Sequence, residues 1–92
     1  MDFRDGPLQP KGHQQLTSLA AAASLTVPTG SRYAILKCTA QGVRWRDDGV
    51  DPTATVGMLM DVGDEFVYSG KLGKLRVIEA AASAVLNVAY YG

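Results

Sequence analysis

The stretch Arg32-Tyr33-Ala34-Ile35-Leu36-Lys37-Cys38-Thr39-Ala40-Gln41-Gly42-Val43-Arg44-Trp45-Arg46 decides the fold class. Side chains of an extended chain point alternately to opposite faces. Ala34, Leu36, Cys38 and Ala40 therefore share one face, and Tyr33, Ile35, Lys37 and Thr39 the other. After Gln41-Gly42, the same alternation turns Val43 and Trp45 inwards and Arg44 and Arg46 outwards. Two strands joined by a tight turn predict a hairpin.

Upstream, Leu25-Thr26-Val27 alternates apolar and polar and is stopped by Pro28-Thr29-Gly30, which predicts a strand over 24–27, and a further strand is expected over 14–19. Ala20 to Ala23 favours helix, but four residues are too few to nucleate one. Downstream, Asp47-Asp48-Gly49-Val50-Asp51-Pro52-Thr53 is dense in turn formers and marks a long loop. Gly57-Met58-Leu59-Met60, Glu65-Phe66-Val67-Tyr68, Lys74-Leu75-Arg76-Val77-Ile78-Glu79 and Val85-Leu86-Asn87-Val88-Ala89-Tyr90-Tyr91 read as further strands. Phe66 and Tyr68 share a face, as do Leu75 and Val77. Ala80-Ala81-Ala82-Ser83 could form one helical turn, but it stands between two strand-like runs at hairpin spacing. Short strands at a spacing of roughly 8 to 12 residues predict an all-β fold, a small antiparallel β-sandwich or jelly-roll-like domain.

Residues 1–12 contain Gly6, Pro7, Pro10 and Gly12, which cannot hold a helix, and predict an extended amino-terminal arm ahead of a domain over 13–92. Phe3 and Leu8 are the candidate anchors of that arm on a neighbour. A chain of 92 residues fits one domain. It buries only roughly 60 to 65% of its unfolded surface, so association with other copies would add noticeably to its stability.

Nine basic and nine acidic residues balance, and neither sign forms a block, so neither nucleic acid nor a membrane surface is an expected partner. No apolar run is long enough to span a bilayer, and two acids in Met1-Asp2-Phe3-Arg4-Asp5 are unlike a secretory signal. Expression in a cytoplasm is expected. Cys38 is the one cysteine and lies in an apolar run, so packing rather than a disulfide must hold the fold.

Little in the chain points to catalysis. His13 is the one histidine and stands beside Gly12, where a fixed catalytic geometry is hard to maintain. Asp47, Asp48 and Asp51 could offer oxygen donors to calcium, but their spacing misses the calcium-loop motif, and acids that cap turns and pair with Arg44 or Arg46 explain them better. Arg44-Trp45-Arg46 could stack on a sugar or a base. With Trp45 inward, Arg44 and Arg46 instead form a candidate charged interface on the opposite face. The glycines carry no phosphate-loop motif, and no Gly-x-Ser-x-Gly elbow occurs. A non-enzymatic protein with no catalytic, cofactor or metal residues is expected.

Leu25-Thr26-Val27-Pro28 with Gly30 and Arg32-Tyr33-Ala34, then Val43-Arg44-Trp45-Arg46-Asp47-Asp48-Gly49 with Asp51-Pro52-Thr53, then Gly57-Met58, and finally Leu86-Asn87-Val88 with Tyr90-Tyr91, are the features that carry a resemblance. In these features the stretch from Leu25 to Tyr91 resembles small proteins encoded among the structural genes of tailed bacteriophages. The resemblance implies a virion-associated β-sandwich, a capsid decoration or cement subunit whose partners are the major capsid protein or other virion proteins. A minor head-tail or tail component, or a carbohydrate-binding module, is the alternative. It supplies no catalytic residue. A homo-oligomer is expected, a trimer by analogy with jelly-roll subunits that meet at local threefold positions.

Overall fold

The computed structural model describes residues 9–92, and Phe3 and Leu8 lie outside them. Eight strands form in chain order: β1 (Pro10–Leu16), β2 (Ala23–Ser24), β3 (Tyr33–Ala40), β4 (Val43–Arg46), β5 (Met58–Met60), β6 (Glu65–Tyr68), β7 (Arg76–Glu79) and β8 (Val85–Tyr91). Their pairing gives two four-stranded sheets, ordered β1-β8-β3-β6 and β2-β7-β4-β5. Every pairing is antiparallel. Eight strands distributed in this order over two sheets make a jelly roll, so the all-β sandwich expected from the alternating runs is the fold.

The inner faces close on an apolar core. In the first sheet, Ala34, Leu36 and Cys38 of β3 stand opposite Tyr90, Val88 and Leu86 of β8. All six are essentially inaccessible to solvent. Val43, Met60 and Val77 meet them from the other sheet, with Leu75 just ahead of β7, and Leu16, Leu19 and Leu25 fill the side under β1 and β2. No polar or charged residue is buried among the described residues. The phenol of Tyr90 reaches the rim instead and donates to Gln14 Oε1 at 2.8 Å. That oxygen also accepts the Thr26 amide at 2.9 Å, which ties β1 to the segment after β2.

The predicted hairpin between β3 and β4 does not form, because the two strands lie in different sheets. A register shift between Cys38 and Ala40 breaks the β3 ladder, and Gln41 takes a left-handed conformation at φ 55°. Together they turn the chain out of the plane of its sheet rather than back along it. Ser83, at φ 70°, serves the link from β7 to β8 in the same way. The one link between neighbouring strands of a single sheet is the long loop 47–57, so β4 and β5 form the actual hairpin.

Strand β1 opens at Pro10, so Pro10, Lys11 and Gly12, expected in the arm, belong to the sheet. The residues that rule out a helix are tolerated here because β1 is an edge strand, with a bulge between Pro10 and Gly12. Just before it, Gln9 and Gly92 exchange two backbone hydrogen bonds, of 2.8 and 3.0 Å, which bring the ends of the described chain side by side.

The β3 core positions should be the most sensitive to truncation. Leu36→Ala is expected to cost about 2–5 kcal/mol in urea unfolding followed by circular dichroism, a large share of a small domain's stability.

Candidate functional site

The side of the sandwich where β5 and β6 are edge strands carries the features that could do work. Trp45 faces inwards from β4, as its alternation predicts, but β4 lies next to an edge and the ring is only half-buried. It stacks on Phe66 with ring centroids 5.5 Å apart and meets Tyr68 edge-on at 6.1 Å. Phe66 and Tyr68 belong to the opposite sheet, so this trio pins the two sheets together on this side of the sandwich. An open hollow of about 560 Å³ lies beside it, between Trp45, Arg46-Asp47-Asp48 and Val56-Gly57-Met58.

The acids of the 47–57 loop are separated by their partners. Asp47 accepts a 2.7 Å hydrogen bond from the Tyr68 hydroxyl, across the sandwich. Asp48 takes a two-pronged contact from Arg46, with Nε to Oδ1 at 3.0 Å and Nη2 to Oδ2 at 2.5 Å. Asp51 lies 3.7 Å from Arg76. Among the described residues no three acids, histidines or cysteines gather where they could hold a metal ion. Pairing with arginine, expected for this loop, holds for Asp48 with Arg46.

Arg44 has a different role from the one its outward position implies. Its Nε donates to Ala54 O and its Nη1 to Gly57 O, both at 3.0 Å. The side chain thus fastens the loop down onto the outer face of its own sheet. Gly57 makes room for this: at φ 142°, a Cβ there would lie 3.1 Å from Arg44 Cβ and 3.2 Å from the Trp45 carbonyl. Of the two candidate interface arginines, one therefore serves as a loop clamp and the other is engaged by Asp48.

Charge settings follow from these contacts. The Arg46 guanidinium, bonded to Asp48, holds that carboxyl below its ordinary range and is itself held more firmly protonated. Burial, and then the Asp47 carboxylate, push Tyr68 up to about 12, and burial alone does the same to Tyr90. Burial also raises the Cys38 thiol, which donates to the Gln41 carbonyl and is inert packing material. His13, on edge strand β1, is exposed.

Sequence reasoning missed the surface at this edge. Val50, Val56, Met58, Leu59, Val62 and Val67 are the large hydrophobic residues left exposed among those described. Five of them fall between positions 50 and 62, and Val67 lies on the adjoining β6. Met58 occupies an inward register position opposite Trp45 yet is 60% exposed, because β5 ends its sheet. Alternation assigns a residue to a face but does not say whether a strand will cover that face from the side.

No helix among the described residues is long and apolar enough to cross a membrane. No family model matches the chain, and neither does a curated protein or a solved structure.

Arg44→Ala should loosen the 47–57 loop while leaving the sheets in place. The expected signature is faster amide exchange and proteolysis within 47–57 and a stability loss of about 1 kcal/mol. Alkali should act through the two buried phenols. Their folded pKa lies above the roughly 10 of a free tyrosine, so the fold keeps its full stability below pH 10 and loses it as pH climbs towards about 12. Tyrosinate absorbance during a pH titration checks this, and Asp47→Asn should move the Tyr68 transition to lower pH.

Proposed function

We propose that this chain is a structural protein of a tailed-phage particle, a capsid decoration or cement subunit that binds and stabilises the shell. The observation that carries this reading is the run of exposed apolar side chains along one edge of a small jelly roll, with Met58 and Leu59 on β5 and Val56 and Val62 flanking it. Apolar surface collected in one place marks an interaction site, whereas scattered single residues do not. The resemblance of the stretch from Leu25 to Tyr91 to phage structural proteins suggests the setting. The major capsid protein is the primary partner, with other copies of the chain as neighbours on the shell. The virion is then its destination.

A carbohydrate-binding module is the second reading, favoured by the hollow beside Trp45. Stacking on Phe66 already occupies part of the indole that a sugar would use.

Mixing the chain with shells assembled from the capsid protein encoded alongside it tests the proposal. The chain should sediment with the shells at a saturating ratio and raise their melting temperature. A chain that stays in the supernatant would overturn the reading, and density found only at the neck or tail would replace the decoration role with that of a minor component. A glycan array that lights up, and goes dark with folded Trp45→Ala, would favour the sugar reading instead.

A further inference from the structure

We infer that the β5 edge is a self-association surface whose occupant is the β5 strand of a second copy, running antiparallel about a twofold axis at Leu59. The apolar residues of this edge, which mark the interaction site of the proposed function, are here assigned to contact between copies, with or without a particle.

Strand β5 ends the β2-β7-β4-β5 sheet, so its backbone is paired on the β4 side only. Such an edge is a template for another strand, and proteins that remain single blunt it with charge, proline or bulges. The opposite side of the sandwich is blunted in this way. There β1 offers Pro10, a bulge, Lys11, His13 and Gln15, and β2 is only two residues long. The β5 edge is also short, at three residues, but it carries no charge, proline or bulge of its own, and Met58 and Leu59 are 60% and 48% exposed.

That asymmetry selects the occupant. Docking the β5 edge against the β1 edge would set Lys11 and the glutamines against Met58 and Val56. Docking it against itself matches apolar with apolar. The register then follows from strand geometry: with Leu59 facing its own copy, Met58 faces Met60, Gly57 faces Asp61 and Val56 faces Val62.

Charge supports the same direction. One end of β5 leads into the turn that carries Asp61 and Asp64. At the other end lies the Arg44 guanidinium, bonded to the carbonyl oxygens of Ala54 and Gly57 rather than to a carboxylate. Asp47 and Asp48 lie at this end too, but Arg44 and Arg46 balance them, so an antiparallel pair sets the acidic turn of each copy against a charge-balanced end of the other, whereas a parallel pair would set acid against acid. Opposite charges brought together fix register and direction.

Analytical ultracentrifugation of the full chain tests this. The chain should sediment as a dimer, and Leu59→Lys, which sets two like charges opposite each other at the axis, should weaken dimerisation about tenfold or more. His13→Glu, on the far edge, should leave the dimer intact. In a Cys38→Ala background, Leu59→Cys should form a covalent dimer on mild oxidation and Val50→Cys should not, which checks the register even if Leu59→Lys fails to fold. A chain that is monomeric at every concentration, a dimer dissociated by His13→Glu but not by Leu59→Lys, or a Leu59→Cys chain that does not cross-link would overturn the inference.

Discussion

The pairing of β3 with β8 is the constraint on which the molecule depends. These are the two interior strands of their sheet, and their inward residues, Ala34, Leu36 and Cys38 against Tyr90, Val88 and Leu86, form a continuous apolar floor. The second sheet can close only on such a floor, because neither sheet has a second apolar layer to pack against. The strands of this pair are about fifty positions apart in the chain, so everything between them must be enclosed before the floor is complete. Folding that depends on such distant contacts is slow compared with that of a helical bundle of equal size.

The β5–β6 side follows from that arrangement. A small sandwich has only so many strands to shield its flanks, and here one flank is closed by Leu16, Leu19 and Leu25 beneath β1 and β2. The other is closed by three aromatic rings and left open beyond them. The exposed methionine and valines are what that incomplete closure leaves behind. Their concentration makes the flank an interaction surface, and the loop beside it is held by Arg44 in a fixed shape instead of swinging across it.

Much of the fold was legible in the residues. Alternation located β3, β4, β6 and β8, turned Val43 and Trp45 inwards, and grouped Leu36 with Ala34 and Cys38, Tyr68 with Phe66 and Val77 with Leu75 on shared faces, since burying one face of a strand leaves a period of two. Sheet membership was not legible. Gln41-Gly42 reads equally well as a hairpin turn or as a crossover, and the choice depends on a register break and on partners far away in sequence. Alternation placed Ile35 correctly on the face away from the core, but it does not reveal that the residue is only 7% exposed there. For the candidate site, the inward Trp45 and the arginine pairing of Asp48 could be read from neighbours in sequence. The Tyr68–Asp47 bond could not, because it spans the two sheets, and the Arg44 clamp could not, because it grips backbone oxygens that carry no sequence signature.

The paired Gln9 and Gly92 have a topological consequence. When both ends of a described chain lie hydrogen-bonded at one corner, the order in which its strands are visited is separable from the order in which they stack. A short linker from 92 back to 9 would close the chain into a ring. A new opening in the exposed 47–57 loop, where β4 and β5 are already adjacent in one sheet, would then give a circular permutant with every strand pairing intact. The same corner makes the fold a natural carrier: segments joined at positions 9 and 92 leave the described fold from a single point on its surface.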